Sequence, residues 1–592
     1  MAYPDYCLAA VEKPGRYIGN EINIARKNVE DIDIRFAFCF PDVYEIGMSH
    51  MGLQIMYALL NERADTYCER SFAPWTDMEI ILRQKNIPLL ALETGDPLSL
   101  FDFIGFTLQY ELCYTNVLNM LDLAGIPLFS SQRDEKAPII CAGGSCAVNP
   151  EPMADFIDFF YIGDGEACIN DILDIYKANK FNHGTKREFL RNIRNVPGIY
   201  VPVLFDDSQD GSSKKTEKAF VSDLDSSYFP KSYITPLIET VQDRVSVEVF
   251  RGCIRGCRFC QAGYIYRPVR ERSLETLIKQ ADDLIKTTGQ EEISMLSLSA
   301  SDYIHCNELI TALTQKLSPI HVNVSLPSLR IDKVSLELMS KAGEIRKSGL
   351  TFAPEAGSQR MRDIINKGIT EEEILRGIRQ AFESGRNRIK LYFMIGLPYE
   401  TEEDILAIPA LAERVLDQFF SIPKDKRPKN GANISISVSC FVPKPFTPFQ
   451  WVGQDTLETF RAKQNLIKRN LNRKIRFSYH DAEQSIIEAA LARGDRKSGQ
   501  AIYNAWKNGA RFDGWSEKFS YIRWVESFTQ TEIDFYAHRE RTSDEVLPWD
   551  HIDVGVSKRF LIKEYNQAKS AQITPNCRES CGGCGIEGCI YA

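Results

Sequence analysis

The sequence predicts an α/β protein in three parts. These are an N-terminal doubly wound sheet of the Rossmann or flavodoxin type, a partial (β/α)6 barrel of TIM-like character, and a mostly helical region ending in a cysteine-rich tail. Short apolar strands alternate with helical patterns, which favours parallel sheets with helices on both faces. In the second block every unusual loop follows a strand, as in barrels whose reactive centre lies at the carboxyl ends of the strands. A length of 592 residues exceeds one core and suggests about three domains.

In the first block, 1–180, strands are expected at 34–40, 103–108, 137–144 and 158–163, with helices at 52–63 and 115–125. Gly-rich turns follow two of these strands: GGSCAVNP contains Gly143 and Gly144, and GDGEAC contains Gly163 and Gly165. Such turns let backbone approach a ligand closely. Residues 181–242 read as a connector, with the polar, Gly/Ser-bearing DDSQDGSSKKTEK as an exposed loop and flanking pieces such as GIYVPVLF as candidate edge strands. The barrel block, 243–452, offers strands at 245–250, 292–299, 321–327, 349–355, 388–398 and 432–445. The loops after them are RGCIRGCRFC, SASDY, SLRID, PEAGS, GLPYET and VPKPFTPFQW. Residues 453–560 read as helical, with a string His480, Asp481, Arg493 and Asp495 that could line a substrate entrance or serve only as a cap and surface pairs. Core packing is the expected role for most of Trp506, Trp515, Trp524 and Trp549.

Composition narrows the function classes. With 44% hydrophobic and 26% charged residues the chain has an ordinary globular balance. A net charge of −9 argues against a general polyanion binder. The start, MAYPDYCLAAVEKPGRY, lacks a basic segment followed by a long apolar core, and runs such as IKLYFMIGLP are too short to span a bilayer. A cytoplasmic location without membrane association is the expectation.

Sixteen cysteines are many for a compartment where disulfides are uncommon, and their placement is informative. Cys253, Cys257 and Cys260 follow CxxxCxxC spacing on the loop after the first barrel strand. Three thiolates on a tight loop can hold three corners of a [4Fe–4S] cube and leave the fourth iron open to an exogenous ligand. Half a zinc site is the alternative, but zinc wants a fourth ligand, and none lies near before His305 and Cys306. A redox-active thiol pair is the other. Arg251, Arg255, Arg258, Arg267, Arg270 and Arg272 crowd this loop. They could favour thiolate and tune a cluster, meet an anionic substrate such as RNA phosphate, or form a solvated face.

The spacing, Phe259 just before the last cysteine, and the preceding strand together resemble the radical SAM superfamily. The resemblance implies that the open iron chelates S-adenosylmethionine (SAM) and that an electron from the cluster cleaves it to a 5′-deoxyadenosyl radical. It also implies a low-potential electron donor of flavodoxin or ferredoxin type. Carried over residue by residue, it places Phe259 beside the cofactor and Ser301 or Asp302 of SASDY near the SAM amino group. Ser328 and Arg330 of SLRID would meet its carboxylate or ribose, and Glu355 of PEAGS its ribose or amine. SASDY is not the familiar Gly-Gly-Glu of the superfamily. Residues 141–166, CAGGSCAVNPEPMADFIDFFYIGDGE, resemble the signature of the cobalamin-binding subgroup, which implies that Gly143, Gly144, Gly163 and Gly165 form loops of cobalamin-binding type. The Asp-x-His-x-x-Gly motif of histidine-ligated cobalamin is missing, and His50 of GMSHMG has the wrong spacing for it. Further stretches, including RGCxRGCRFCQAG, LTFAPEAGSQR, FVPKPFTPFQW and HDAEQSIIEAALARGDR, resemble an uncharacterised bacterial subfamily over nearly the whole chain.

The tail, residues 561–592, carries Cys577, Cys581, Cys584 and Cys589 among glycines that let one loop wrap a centre. A second, auxiliary [4Fe–4S] cluster is the first reading and structural zinc the second; in a third, Cys589 does not ligate. Two functions follow. One is a radical SAM enzyme that modifies an unreactive carbon, with cobalamin-assisted methylation as one form and RNA or protein as the acceptor. The other is a non-catalytic, zinc-bound RNA- or protein-binding module.

Overall fold

The computed structural model describes residues 3–206, 215–325, 349–586 and 589. The first sheet has the strand order Thr66–Phe72, Ile34–Phe40, Phe103–Thr107, Ile139–Gly143, Phe159–Tyr161, Ile199–Tyr200. Its first five strands are parallel and the last is antiparallel. In chain order this is 2-1-3-4-5, the flavodoxin-like arrangement, whose ligand crevice opens between the first and third strands. Because side chains alternate across a strand, IRFAFCF feeds two cores. Phe36, Phe38 and Phe40 enter one, and Ala37 and Cys39 the other.

One feature of this sheet departs from expectation. The strand Thr66–Phe72, TYCERSF, is absent from the sequence reading because Glu69 and Arg70 interrupt its apolar pattern. Both charges are fully buried and paired, Glu69 with Arg35 and Arg70 with Glu21 and Glu93. The edge strand that GIYVPVLF offers is present: the sheet runs past 180 to its antiparallel edge, Ile199–Tyr200.

The second block forms two parallel sheets. One has the order Asn323–Ser325, Glu292–Leu296, Val245–Glu248. The other has Leu350–Glu355, Arg388–Ile395, Asn433–Cys440, Ile475–Tyr479. The last strand is a correction: it comes from a region read as helical, and Ile434↔Ile475 to Val438↔Tyr479 pair in parallel. Ser328 and Arg330 lie outside the described residues. Helix starts follow their caps. Ser273 accepts from Thr276 N–H ahead of Leu274–Thr288, and Thr370 with Glu373 forms a capping box ahead of Glu371–Glu383.

The C-terminal helices share a core with one face of the first sheet. Ile486, Ile502, Trp524 and Trp549 belong to the same buried cluster as Ile104 and Ile140. No helix of the described residues is long and apolar enough to cross a membrane.

Candidate functional site

The cysteine loop is held shut at its base. Phe250–Arg251 pairs antiparallel with Arg270–Glu271, so Arg251 faces Arg270 across the ladder. Gly252, at φ +89°, starts the loop, and a Cβ there would lie 2.7 Å from the Pro268 carbonyl oxygen. Only glycine fits such a position. Cys253, Cys257 and Cys260 are half-buried on this loop. The Arg255 N–H points at Cys253 Sγ from 3.4 Å. Burial, then the neighbouring Cys257 thiol, pushes Cys253 up to about 12 and Cys260 up to about 11. Thiols held this way ionise when a metal takes them, since ligation requires the thiolate.

The structure brings four further expected residues to this loop. Glu355 stands at φ +67°, where the ladder with the next strand is bulged, and pairs with Lys367 at 3.1 Å. Both reach the field of Cys260, Lys367 lowering its pKa and Glu355 raising it. The Lys367 ammonium lies 6.0 Å from the Phe259 ring centre, and that ring packs against the cluster of Ala356, Met361 and Phe441. Asp302 is buried and accepts from Arg255 Nε at 2.9 Å, from a second Arg255 nitrogen, and from Ser299 Oγ at 2.7 Å. Its carboxylate therefore ties the loop after the second strand to the cysteine loop. Ser301 is half-buried on the same turn.

Among the described residues, no group of three or more His, Cys, Asp or Glu side chains is arranged to close on a metal ion. A cube takes thiolates at separate corners, so its ligands stand farther apart than those of a single ion. Three thiols, a fixed N–H on one sulfur and a lysine beside another fit such a group.

The arginines face inward, which overturns both the phosphate-binding and the solvated-face readings. Arg258, Arg267, Arg270 and Arg272 are 0%, 5%, 6% and 1% exposed. Arg258 reaches Glu564 at 3.1 Å and the carbonyls of Asp363, Ile364 and Gln572. Arg251 pairs with Glu248 at 2.9 Å, Asp164 at 3.0 Å and Glu166 at 2.7 Å. Arg270 also engages Asp164, and Arg272 engages Glu248. Asp164 and Glu166 come from the GDGE turn of the first sheet, so these pairs join the two sheets' loops.

Above that junction lies a cavity of about 600 Å³. Its walls include Phe36, Phe38 and Thr107 at the crevice of the first sheet, and all four predicted glycines, 143, 144, 163 and 165. Opposite them stand Glu248, Arg251, Tyr266 and Leu296 of the barrel. Gly144, at φ 105° and ψ 179°, would place a Cβ 2.6 Å from the Leu108 carbonyl oxygen. His50 also lines the cavity, and burial holds its imidazole down to about 4. Its Nδ1 accepts from Leu53 N–H at 3.3 Å, so Nε2 carries the proton. These walls are assembled from distant positions, and the spacing of GMSHMG alone gave no sign of His50's place in them. A second, smaller cavity, about 140 Å³, is lined by Cys577, Cys581, Cys584 and Cys589 together with Ile254, Gly256 and Arg267 of the cysteine loop.

The family model for the radical SAM superfamily matches residues 247–412, and the model for radical SAM proteins, N-terminal, matches 52–202. An uncharacterized protein of Methanocaldococcus jannaschii is 32% identical over 462 residues, which cover 78% of this chain and 88% of that protein. The chain belongs to the radical SAM superfamily. It is therefore an enzyme whose cofactors include a [4Fe–4S] cluster and SAM, and the non-catalytic zinc-bound reading is not favoured. This radical SAM enzyme is also 25% identical over 179 residues to the ribosomal protein uS12 methylthiotransferase of Thermotoga maritima, over 28% of this chain and 41% of that one. Among solved structures it matches the radical SAM methyltransferase TsrM from Kitasatospora setae, with cobalamin and a [4Fe–4S] cluster bound. That likeness has a TM-score of 0.46 and 12% identity, over 71% of this chain and 77% of that one.

Three members of the polar string of the helical region, Asp481, Arg493 and Asp495, make structural contacts in this radical SAM enzyme, and His480 is exposed. Asp481 caps its helix through Glu483 N–H. Arg493 is fully buried and donates to the carbonyls of Ala537 and Arg539. Asp495 accepts from Tyr536 Oη at 2.7 Å. Trp524 and Trp549 are core residues, the latter donating to Gln450 Oε1 at 2.9 Å. The sequence reading did not single out Lys444 of the FVPKPF stretch. It lies between Glu111 at 2.6 Å and Glu488 at 2.8 Å, one from the first block and one from the helical region.

Proposed function

We propose that this enzyme performs a cobalamin-assisted methylation of an unreactive carbon on a macromolecular residue of RNA or protein. The observation that carries the reading is the cavity of about 600 Å³ between the crevice of a flavodoxin-like sheet and the loop that bears the three cysteines. A crevice at this switch point is where such sheets take flat cofactors, and the volume is that of a ligand site. The loops of Gly143, Gly144, Gly163 and Gly165 and the edge of Tyr266 would hold the corrinoid. His50, with Nδ1 committed to a backbone N–H, would donate from Nε2 rather than ligate cobalt.

Cys253, Cys257 and Cys260 would hold the first cluster, with Phe259, Ser301 and Glu355 toward SAM and Asp302 fixing the loop through Arg255. When bound, the cluster supplies the electron for sulfonium cleavage and the corrinoid supplies a methyl carrier. A low-potential donor of flavodoxin or ferredoxin type would feed the cluster. The acceptor class is supported by the name of the Thermotoga relative, which acts on a ribosomal protein.

The test is anaerobic purification and reconstitution, followed by corrinoid extraction and assay of SAM turnover under reducing conditions. Bound corrinoid together with S-adenosylhomocysteine or 5′-deoxyadenosine is the expected outcome. A cavity that takes up no corrinoid, in a protein that still cleaves SAM, would remove the cobalamin part of the proposal.

A further inference from the structure

The reading above makes no use of the smaller cavity, yet it is built from chemistry-bearing groups. Four thiols line it, and it lies directly against the first cysteine loop. Cys577 N–H donates to the Ile254 carbonyl at 3.1 Å. Asn366 bridges the two segments, donating to the Gly256 carbonyl at 3.1 Å and accepting from Thr574 N–H at 2.9 Å.

Size decides between one ion and several. A water-sized occupant needs roughly 10–15 Å³ of such space. The cavity offers about 140 Å³, on the order of ten times as much. A zinc ion with thiolates at about 2.3 Å leaves no such void. Nor do these thiols close on a single point.

Charge gives an independent indication. Arg267 is 5% exposed, lines the cavity, and has no carboxylate partner among the described residues. It donates to the carbonyls of Gly263 and Arg255 and lies over the Tyr264 and Phe560 rings. A buried guanidinium without a counter-charge is costly, so an anion is expected beside it. Cys577 and Cys584 line the same cavity as Arg267.

We infer that Cys577, Cys581, Cys584 and Cys589 hold a second [4Fe–4S] cluster, seated on the backbone of the first cysteine loop and charge-balanced by Arg267. The inference does not depend on what fills the larger cavity.

The test uses the full chain, reconstituted anaerobically with iron and sulfide. Wild type should hold about eight irons, and the Cys581→Ala/Cys584→Ala variant about four, with the SAM-sensitive electron paramagnetic resonance signal retained. Stoichiometric zinc in the purified tail, or an iron count unchanged in the double variant, would overturn the assignment. Should that variant not fold, Arg267→Gln keeps every ligand. Removing a cation disfavours reduction, so the SAM-insensitive signal should titrate with a reduction equilibrium about tenfold less favourable, about 59 mV for one electron. Arg267→Lys should recover most of the shift. A midpoint that does not move in Arg267→Gln would overturn the placement of the cluster beside Arg267.

Discussion

Arg251→Met tests whether buried charge ties the first sheet to the barrel. Arg251, Arg270 and Arg272 face Glu248, Asp164 and Glu166, three cations against three anions. Burial would raise Glu248, but Arg251 and Arg272 hold it below the ordinary carboxylate range. Burial likewise opposes ionisation of Asp164, and Arg251 and Arg270 prevail. Methionine keeps most of the volume and strands one carboxylate. Breaking a buried pair in this way costs about 3–5 kcal/mol. The sign with pH follows. In the variant the stranded carboxylate has a raised pKa, so the folded form takes up a proton as pH falls and the deficit shrinks. Lys218, near Asp164 and held down to about 8 by burial and Arg270, gains charge in the same direction. The assay is urea unfolding, followed by tryptophan fluorescence and circular dichroism, at about pH 8 and about pH 5.5. A deficit of several kcal/mol at the higher pH and clearly less at the lower is expected. Arg251→Lys should restore only part, because Glu248 is gripped through both Nε and Nη2. A loss below about 1 kcal/mol, or one indifferent to pH, would refute the reasoning, since that is the range of an exposed pair.

Cys257→Ala should lose about four irons and all SAM cleavage while the tail keeps its metal. Iron analysis and chromatography of 5′-deoxyadenosine check this, and loss of both metal centres together would show that the two sites are not separate. Gly144→Ala forces a side chain into a backbone region that is essentially reserved for glycine, at about 1–3 kcal/mol, and against the Leu108 carbonyl. Corrinoid affinity, read from the absorbance titration, should fall about tenfold or more with iron content unchanged. An unaltered affinity would mean that this loop does not form the cofactor wall.

What the sequence disclosed depended on how local the signal was. Cys253, Cys257 and Cys260 fall within eight residues, so their shared chemistry needs no tertiary information. IRFAFCF was readable as a strand because both its faces are buried and its one charge, Arg35, stands near the start, leaving FAFCF as an apolar run. TYCERSF was not, because its two central charges are neutralised by residues up to 49 positions away. The strand Ile475–Tyr479 carries exposed residues along most of its length, and nothing in the alternation of RFSY marks it as the edge of a parallel sheet. The partners of the arginine loop were hidden for a related reason. A basic run looks exposed until its partners are known, and those partners, Asp164 and Glu166, Asp302, and Glu564, lie in three other segments of the chain.

The inward arginines change what the acceptor can be asked to meet. A guanidinium already paired in a protein interior gains little from a phosphate, because the ion pair it holds would have to be broken first. RNA recognition by that loop is thus removed as a reason for an RNA acceptor. Lys444 fixes another of the loops near the cysteines. Burial opposes its charge, and Glu111 and Glu488 outweigh burial, so its pKa is raised. Two carboxylates on one buried lysine lock the FVPKPF loop to the first block and to the helical region at once. The Gln261 side chain donates to the Pro445 carbonyl of the same loop at 3.3 Å, one residue past Cys260. The segment after the sixth predicted strand is therefore fixed against the cysteine loop before any substrate arrives, and a preorganised wall of this kind positions a reactant without spending binding energy on ordering the loop.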